Sequence, residues 1–276
     1  MKTVRADKYC KFVTDGTHDS PKQVNKGRKL ITSKHLSRYG IDFESAKNIS
    51  ELDYQKVISR SKVEQWDILF SMIGTIGNLY LERNHTIEYA CKNMGIFQMG
   101  GDERKAKWLY YYLQTPKARK YIETSGRGTT QSYVPLAALR ALPIDVVDDF
   151  TRDKIIKILW NIDEKILINM QVNENLEQQA QAYFEDLFVV NADPNWPECT
   201  LSDIGSIVAG GTPSKSKPEY YADQGIAWIT PKDLSIDKSK FISHGENDIS
   251  ELGFSKSSAK KMPAGTVLFS SRAPIG

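Results

Sequence analysis

Residues 151–188 read TRDKIIKILWNIDEKILINMQVNENLEQQAQAYFEDLF and contain neither glycine nor proline. A helix over this stretch would be about 57 Å long, at about 1.5 Å per residue. Within it, nine residues follow alternating spacings of three and four, which is the pattern of a heptad seam. These seam residues are Leu159, Ile162, Ile166, Asn169, Asn173, Leu176, Ala180, Tyr183 and Leu187.

An isolated helix with such a stripe must bury it, so the seam predicts a helix–helix interface. The two asparagines, Asn169 and Asn173, lower the stability of that interface and fix its register or partner number. The alternative is that the stripe packs on the domain from which the helix extends.

The chain of 276 residues is long enough for two domains. The part before the helix alternates short apolar runs with turn residues, and three runs have the composition of strands. These strand patterns lie at 29–31, 66–73 and 142–147. Residues 102–114 have the apolar spacing of an amphipathic helix, which Pro116 closes.

These patterns predict an α/β (α+β) fold with a mixed or antiparallel sheet. The predicted parts are a first domain at 1–149, a long helix at 150–190 and a further part at 191–276. Residues 191–197 have the proline and asparagine content of a linker.

The last part repeats the beginning of the first domain at offsets of 195 to 200 residues. The clearest match is Ile-Ser-Glu-Leu, which occurs at 49–52 and again at 249–252. Weaker matches pair 13–18 with 208–213, 31–36 with 229–234, 67–71 with 266–270 and 76–77 with 275–276. Nothing matches residues 78–190. We therefore expect residues 198–276 to form a partial second copy, in which Trp228 and Phe269 lack packing partners.

The net charge of +3 is unevenly distributed. Residues 1–149 hold 24 Lys and Arg against 17 Asp and Glu, whereas the two later parts are slightly acidic. A local excess of basic residues favours an anionic partner such as nucleic acid, and the alternative is a solubilising surface.

Several functional classes lack their usual motifs. There is no phosphate-binding loop, no nucleophile elbow and no zinc-type histidine spacing, so we expect no enzyme activity from this chain. The three cysteines form neither a disulfide framework nor a metal pair, and no apolar run spans a membrane. Together with a charged N-terminus, these features predict a cytoplasmic protein. Glu103 and Lys105 have the spacing of a nuclease motif, although a solvated helix face explains them better.

Two loops have the composition of DNA-contacting segments: loop A (residues 14–28) and loop B (residues 124–132). Lysine and arginine neutralise phosphates, and arginine, glutamine and histidine can also read base edges. Plain turn chemistry is the alternative. The candidate DNA-binding residues in and near these loops are Lys22, Lys26, Arg28, Lys34, His35, Arg127, Thr130 and Gln131.

A domain, a long helix and a second similar domain resemble the DNA-specificity (S) subunit of type I restriction–modification systems. VTDGTHDSP at 13–21 looks like the opening of a target-recognition domain, and GTTQ at 128–131 followed by LPI at 142–144 looks like its closing strands. ILWNIDEKI at 158–166 and LEQQA at 176–180 look like the spacer helix. FSSRAPIG at 269–276 is similar to the middle of a second recognition domain.

The resemblance implies that each recognition domain reads one half of a split double-stranded DNA target, while two spacer helices pack antiparallel. It implies methyltransferase (M) subunits that use S-adenosylmethionine, and restriction and translocase (R) subunits that use ATP and Mg²⁺. No cofactor or metal is expected on this chain, and no membrane partner.

The shortened second domain departs from the family pattern, and it leaves several alternatives. Two chains could form a homodimer through residues 151–188, or the chain could be a fragment or a silent recombination cassette. A different class is a coiled-coil adaptor whose basic domain binds an acidic protein. A nuclease that uses Glu103 and Lys105 is a further rival.

Overall fold

The computed structural model describes residues 2–128, 132–237 and 239–271. It divides into two compact units, Met1–Glu185 and Asp186–Gly276. The long helix belongs to the first unit. The division into 1–149, 150–190 and 191–276 stays a prediction, and the two units are described separately below.

The first unit contains three sheets. Its strands are β1 (Lys2–Arg5), β2 (Phe12–Asp15), β3 (Arg28–Ile31), β4 (Asn48–Ile49), β5 (Ile68–Ser71), β6 (Leu79–Leu81), β7 (Tyr89–Cys91), β8 (Met94–Gln98) and β9 (Pro143–Val146). The central sheet is antiparallel with the order β2-β8-β5-β6. The second sheet, β4-β3-β7, is mixed, because β3 pairs antiparallel with β4 and parallel with β7. β1 and β9 form an antiparallel pair.

Helices cover and connect these sheets. They are α1 (Ala6–Tyr9), α2 (Glu51–Ser61), α3 (Glu103–Tyr112), α4 (Pro116–Ser125), α5 (Leu136–Ala141) and α6 (Asp149–Glu185), with a 3-10 turn at Ser33–His35. The predicted α/β class with mixed and antiparallel sheets is therefore confirmed. Pro116 follows α3 as expected, and it also begins α4, where its missing N–H costs nothing.

The core lies on both faces of the central sheet, because β5 and β8 are buried throughout most of their length. Ile68, Phe70 and Phe97 belong to one hydrophobic cluster, which also contains α3 and the start of α6. Leu69 and Ile96 point into a second cluster on the opposite face. Side chains alternate along a strand, so the apolar run at 66–73 supplies both clusters.

The long helix is confirmed as α6, a helix of 37 residues. Only its first half touches the domain: Arg152 and Ile156 are buried, and Trp160 and Asp163 are half-buried. Every residue from 168 to 185 is exposed.

Most of the predicted seam does not lie on the face that docks on the domain: its first residue, Leu159, is half-buried, and its other residues are exposed. Ile162 and Ile166 are exposed, although they neighbour the docked residues in sequence, and Leu176 and Tyr183 are exposed farther along. At about 100° per residue, the seam lies roughly a third of a turn from the docked face. Packing on its own domain therefore does not account for the stripe. The exposed stripe also begins earlier than expected, at Ile155 and Ile158.

The second unit is smaller and has fewer elements. They are a π-helical turn (Asp186–Val190), α7 (Leu201–Ile204), a 3-10 turn (Pro218–Tyr220), β10 (Tyr221–Ala222), β11 (Ile226–Trp228), α8 (Pro231–Ile236), β12 (Asn247–Ile249) and α9 (Glu251–Ser255). The strands form an antiparallel sheet with the order β10-β12-β11.

The internal repeat has a structural counterpart in the two units. β3 pairs with β4 as β11 pairs with β12, and Ile49 and Ile249 occupy corresponding registers. Directly after them, Ser50 and Ser250 cap α2 and α9 through their side chains.

The glycines before β3 and β11 are also equivalent. A Cβ on Gly27 would lie 2.1 Å from the carbonyl oxygen of Ile49, and one on Gly225 would lie 2.5 Å from that of Ile249. Both turns therefore exclude any side chain, which supports the alignment of the two copies.

Residues at matching positions of the internal repeat differ in burial. Phe70 is 1% exposed in the first unit, whereas Phe269 is 73% exposed in the second. Val13 and Val208 show the same contrast, at 4% and 38%. Trp228 is half-buried, and its indole N–H donates to Gly211 O at 3.1 Å. In the first unit β8 pairs with the strand of Phe70, and Phe97 of β8 contacts the Phe70 ring edge-on at 6.3 Å.

Candidate nucleic-acid interface

Loop A leaves the central sheet beside the turn between β7 and β8. The amide of Gly16 donates to Met94 O at 2.8 Å, and that of Thr17 donates to Cys91 O at 2.9 Å. A Cβ on Gly16 would lie 2.3 Å from Cys91 O, so only glycine allows this approach. The start of the loop is thus fixed to buried strands.

The next residue, His18, is held on both ring nitrogens. Nε2 lies 2.9 Å from a carboxylate oxygen of Asp15, and Nδ1 lies 2.9 Å from the side-chain oxygen of Asn93. Asp15 is buried and also lies 3.5 Å from the guanidinium of Arg60. The imidazole is exposed on its faces but fixed in orientation, because both nitrogens have protein partners.

Loop B is closed at its base, and the segment after it is bonded to the residue that follows β5. Arg127 and Tyr133 exchange two backbone hydrogen bonds of 2.8 Å across it, and Val134 N donates to Met72 O at 2.9 Å. Loop A and the segment that follows loop B, residues 133–136, border a recess of about 270 Å³. Its lining residues are Asp15, His18, Met72, Ile73, Asn93, Tyr133, Val134, Pro135 and Leu136. The structure therefore brings loop A next to a segment that lies about a hundred residues later in the chain and directly follows loop B.

The predicted lysines are exposed. Lys22 and Lys26 lie in loop A, and Lys34 lies in the 3-10 turn after β3. Arg127 is exposed at the base of loop B. These four side chains are accessible to a partner, which is what a phosphate or base contact requires. Thr130 and Gln131 lie outside the described residues.

Arg28 and His35 have intramolecular partners that the sequence did not reveal. Arg28 pairs with Glu51 at 3.1 Å and with Glu88 at 2.6 Å. His35 is 4% exposed, and its Nδ1 accepts the Thr32 amide at 2.9 Å. Burial lowers the pKa of His35, which favours the neutral ring that can accept this bond. Their DNA contacts stay predictions.

The sequence reasoning missed Lys92 and Asn93, which form the turn between β7 and β8. Asn93 has a φ of 54°, a conformation that asparagine tolerates better than most residues. An Asn between two apolar runs is a turn signal, but the contact of this turn with loop A spans more than seventy residues. No short-range pattern carries that information.

Glu103 and Lys105 do not face one another as a nuclease pair. Glu103 accepts from Lys107 at 2.5 Å, and Lys105 lies 3.8 Å from Asp102. Among the described residues, no group of three or more His, Cys, Asp or Glu side chains could hold a metal ion. No described helix is both long and apolar enough to cross a membrane.

A family model described as the type I restriction modification DNA specificity domain matches residues 22–178, more than half of the chain. The chain belongs to this family. The matched range of the specificity domain includes most of loop A, all of loop B and the first thirty residues of α6. The suspected family resemblance is therefore confirmed.

Three curated relatives are specificity subunits of type I restriction enzymes. The MjaIX subunit of Methanocaldococcus jannaschii is 39% identical over 93 residues, which are 34% of this chain and 21% of that protein. The HindI subunit of Haemophilus influenzae is 22% identical and the match covers 83% of this chain and 65% of that protein. The EcoR124I/EcoR124II subunit of Escherichia coli is 26% identical, with 61% and 41% covered. The chain thus spans less than two thirds of the length of each of these three relatives.

Solved structures of such subunits are also similar. The S subunit from M. genitalium is 14% identical with a TM-score of 0.47, covering 84% of this chain and 56% of that one. The HsdS subunit from Thermoanaerobacter tengcongensis is 13% identical with a TM-score of 0.40, covering 90% and 64%.

Proposed function

We propose that this chain binds double-stranded DNA in a sequence-specific manner as the specificity subunit of a type I restriction–modification complex. In this proposal it has no catalytic role and directs methylation and cleavage by partner M and R subunits. Those partners would bind S-adenosylmethionine, ATP and Mg²⁺. The observation that carries the proposal is that loop A and the segment directly after loop B border one recess in a member of this family.

The charge of the first domain supports a nucleic-acid partner. Its basic excess lies in the same part of the chain as both loops, and Lys22, Lys26, Lys34 and Arg127 are exposed there. Exposed lysines and arginines add sequence-independent affinity through phosphate contacts, while rigidly held polar groups read base edges. Both ring nitrogens of His18 have protein partners, so the exposed side chains Lys22, Lys26, Lys34 and Arg127 are the candidates for DNA contact.

The proposal is tested by expressing the full chain with a methyltransferase subunit, purifying the pair and mapping the methylated sites. We expect copurification and methylation at one defined sequence. Methylation at the same sites without this chain would contradict the proposal. Competition with added duplex DNA distinguishes this proposal from the coiled-coil adaptor. The added duplex displaces a bound DNA ligand, whereas an acidic protein partner stays bound at moderate salt.

The exposed stripe of α6 favours a second proposal, that two chains form a homodimer through this helix. The stripe faces away from the docked surface, and its apolar residues continue over the exposed half of the helix. A second copy would supply an identical stripe, and packing two such stripes is the usual way to bury a heptad seam.

Sedimentation of the full chain tests this second proposal. The wild type should show a concentration-dependent dimer, and Leu176→Glu in the seam should convert it to a monomer. Gln178→Glu is a matched control, since residue 178 lies on the opposite side of the helix from residue 176. A wild type that stays monomeric at the highest concentration tested would disprove the homodimer.

A further inference from the structure

We propose that Lys92 is a positioning residue that fixes the tip of loop A, residues 17–20, before any DNA is bound. The lysine Nζ donates to His18 O at 2.9 Å, to Asp19 O at 2.7 Å and to Ser20 Oγ at 2.9 Å. An ammonium group has three hydrogens, so the protein itself occupies all three donors. This role rests on the proposed DNA-binding function of loop A.

The backbone of Lys92 is well placed to hold another segment. Its amide donates to Ile31 O at 2.8 Å, and it forms a parallel bridge with Thr17. The amide of Asn93 in turn donates to Thr17 O at 3.1 Å. Lys92 is therefore anchored to the end of β3 and lies between the buried strands and the loop tip.

Other side chains hold the same short segment. His18 is fixed by Asp15 and Asn93, and the Arg60 guanidinium donates to Gly16 O at 3.1 Å. The amide of Asp19 donates to Thr17 Oγ1 at 3.1 Å, which closes a local turn. The loop tip is thus fixed from several directions, although its residues are mostly exposed.

A fixed tip affects recognition through entropy. A mobile loop must lose conformational freedom when it binds, whereas a loop that is already ordered does not. Base readout also depends on donors and acceptors at defined positions, while phosphate attraction does not. Loss of Lys92 should therefore reduce discrimination between DNA sequences more than overall affinity for DNA.

Charge alone would assign Lys92 to phosphate binding, and the two roles make different predictions. A lysine that contacts a phosphate contributes about one unit to the slope of log K against log salt concentration. Because the ammonium of Lys92 is saturated within the protein, its removal should leave that slope unchanged.

The experiment compares Lys92→Met with Lys26→Met in the full chain. Lys26 is exposed in loop A and is the matched control, since the same charge is removed without loss of the three contacts. In DNA-free protein, Lys92→Met should exchange the amide hydrogens of Thr17 and Asp19 about tenfold faster, as expected for lost hydrogen bonds of ordinary strength. The amide of Phe97 in the core should not change. Lys26→Met should leave all three amides unchanged.

With the cognate duplex found by methylation mapping, Lys92→Met should weaken specific binding about tenfold and leave non-cognate binding and the salt slope unchanged. Lys26→Met should lower the slope by about one unit. Wild-type exchange rates in Lys92→Met, or a slope reduced by one unit, would overturn the positioning role. The exchange measurement uses no DNA, so failure of the wild type to bind DNA would count against the proposed function and not against this inference.

Discussion

The docking of the long helix depends on Asp163, and replacing it by asparagine gives the sharpest prediction. Its carboxylate accepts from Arg38 at 2.8 Å, from Tyr39 at 3.2 Å and from Tyr111 at 2.9 Å. The side chain is 13% exposed. Burial and the neighbouring Asp163 carboxylate raise the pKa of Tyr111, so this phenol stays a donor at neutral pH.

The magnitude follows from these contacts. Hydrogen bonds to a charged group contribute about 1.5–3 kcal/mol each when they are buried, and the half-exposed Arg38 contributes less because water screens it. Asparagine keeps one acceptor oxygen and the same shape, so only part of this stabilisation is lost. We expect Asp163→Asn to reduce the free energy of unfolding by about 2 kcal/mol.

Urea unfolding of the full chain, followed by far-UV circular dichroism, measures this loss. With a slope of about 2 kcal/mol/M, the midpoint of the main transition should fall by about 1 M. Glu64→Gln is the control, because Glu64 forms an exposed ion pair with Lys62 at 3.5 Å, and its loss should cost about 0.5 kcal/mol or less. Equal midpoints for Asp163→Asn and the wild type would refute the idea that these contacts hold α6 on the domain.

Three other outcomes are expected. In titrations with base-substituted duplexes, Arg127→Ala should weaken binding at one position of the cognate site by about 1–3 kcal/mol. The control Arg119→Ala, on α4, should leave the affinity for DNA unchanged. An unchanged affinity for Arg127→Ala would show that Arg127 does not contact DNA. Burial raises the pKa of Asp67 to about 6, above its value of about 3.9 in the unfolded chain. The contribution of protonated Asp67 to the free energy of unfolding is therefore greatest below pH 4 and is lost as the pH rises through 6. Urea titrations should therefore show Asp67→Asn becoming more stable relative to the wild type between pH 4 and pH 6.5, and a constant difference would contradict the assignment. Limited proteolysis should cut residues 198–276 before residues 1–149, since the second unit exposes apolar residues whose counterparts are buried, and equal resistance would count against the repeat argument.

The sequence predicted the elements that depend on local pattern. A stretch without glycine or proline became α6, and the repeated Ile-Ser-Glu-Leu became a strand followed by a serine-capped helix in both units. Local rules suffice here, because helix continuation and capping involve residues within four positions of each other.

The docked face of α6 could not be read from the same pattern. That face includes Trp160 and Asp163, which contact side chains from other elements through cation–π contacts and hydrogen bonds. Trp160, for example, lies under two cations, with Arg83 at 4.4 Å and Lys107 at 3.7 Å from the ring centre. A periodic count of apolar residues gives no weight to such contacts, so it detected only the exposed seam.

The candidate site shows the same limit. Charge and glycine content indicated loops A and B, and in the structure loop A and the segment directly after loop B border one recess. Composition alone could not distinguish Lys22, which is exposed, from Lys92, whose ammonium holds the loop tip. Nor could it show that Arg28 is already paired, because its partners lie 23 and 60 residues away.

The exposed half of α6 converts small rotations of the docked half into large displacements of its end. From residue 168 to 185 it extends about 27 Å beyond its last contact with the domain, at about 1.5 Å per residue. A tilt of about 7° at the docked half would move the tip by about 3.4 Å, which is the rise of one base pair along DNA. The contacts around Trp160 and Asp163 therefore fix the direction in which the exposed half of α6 extends.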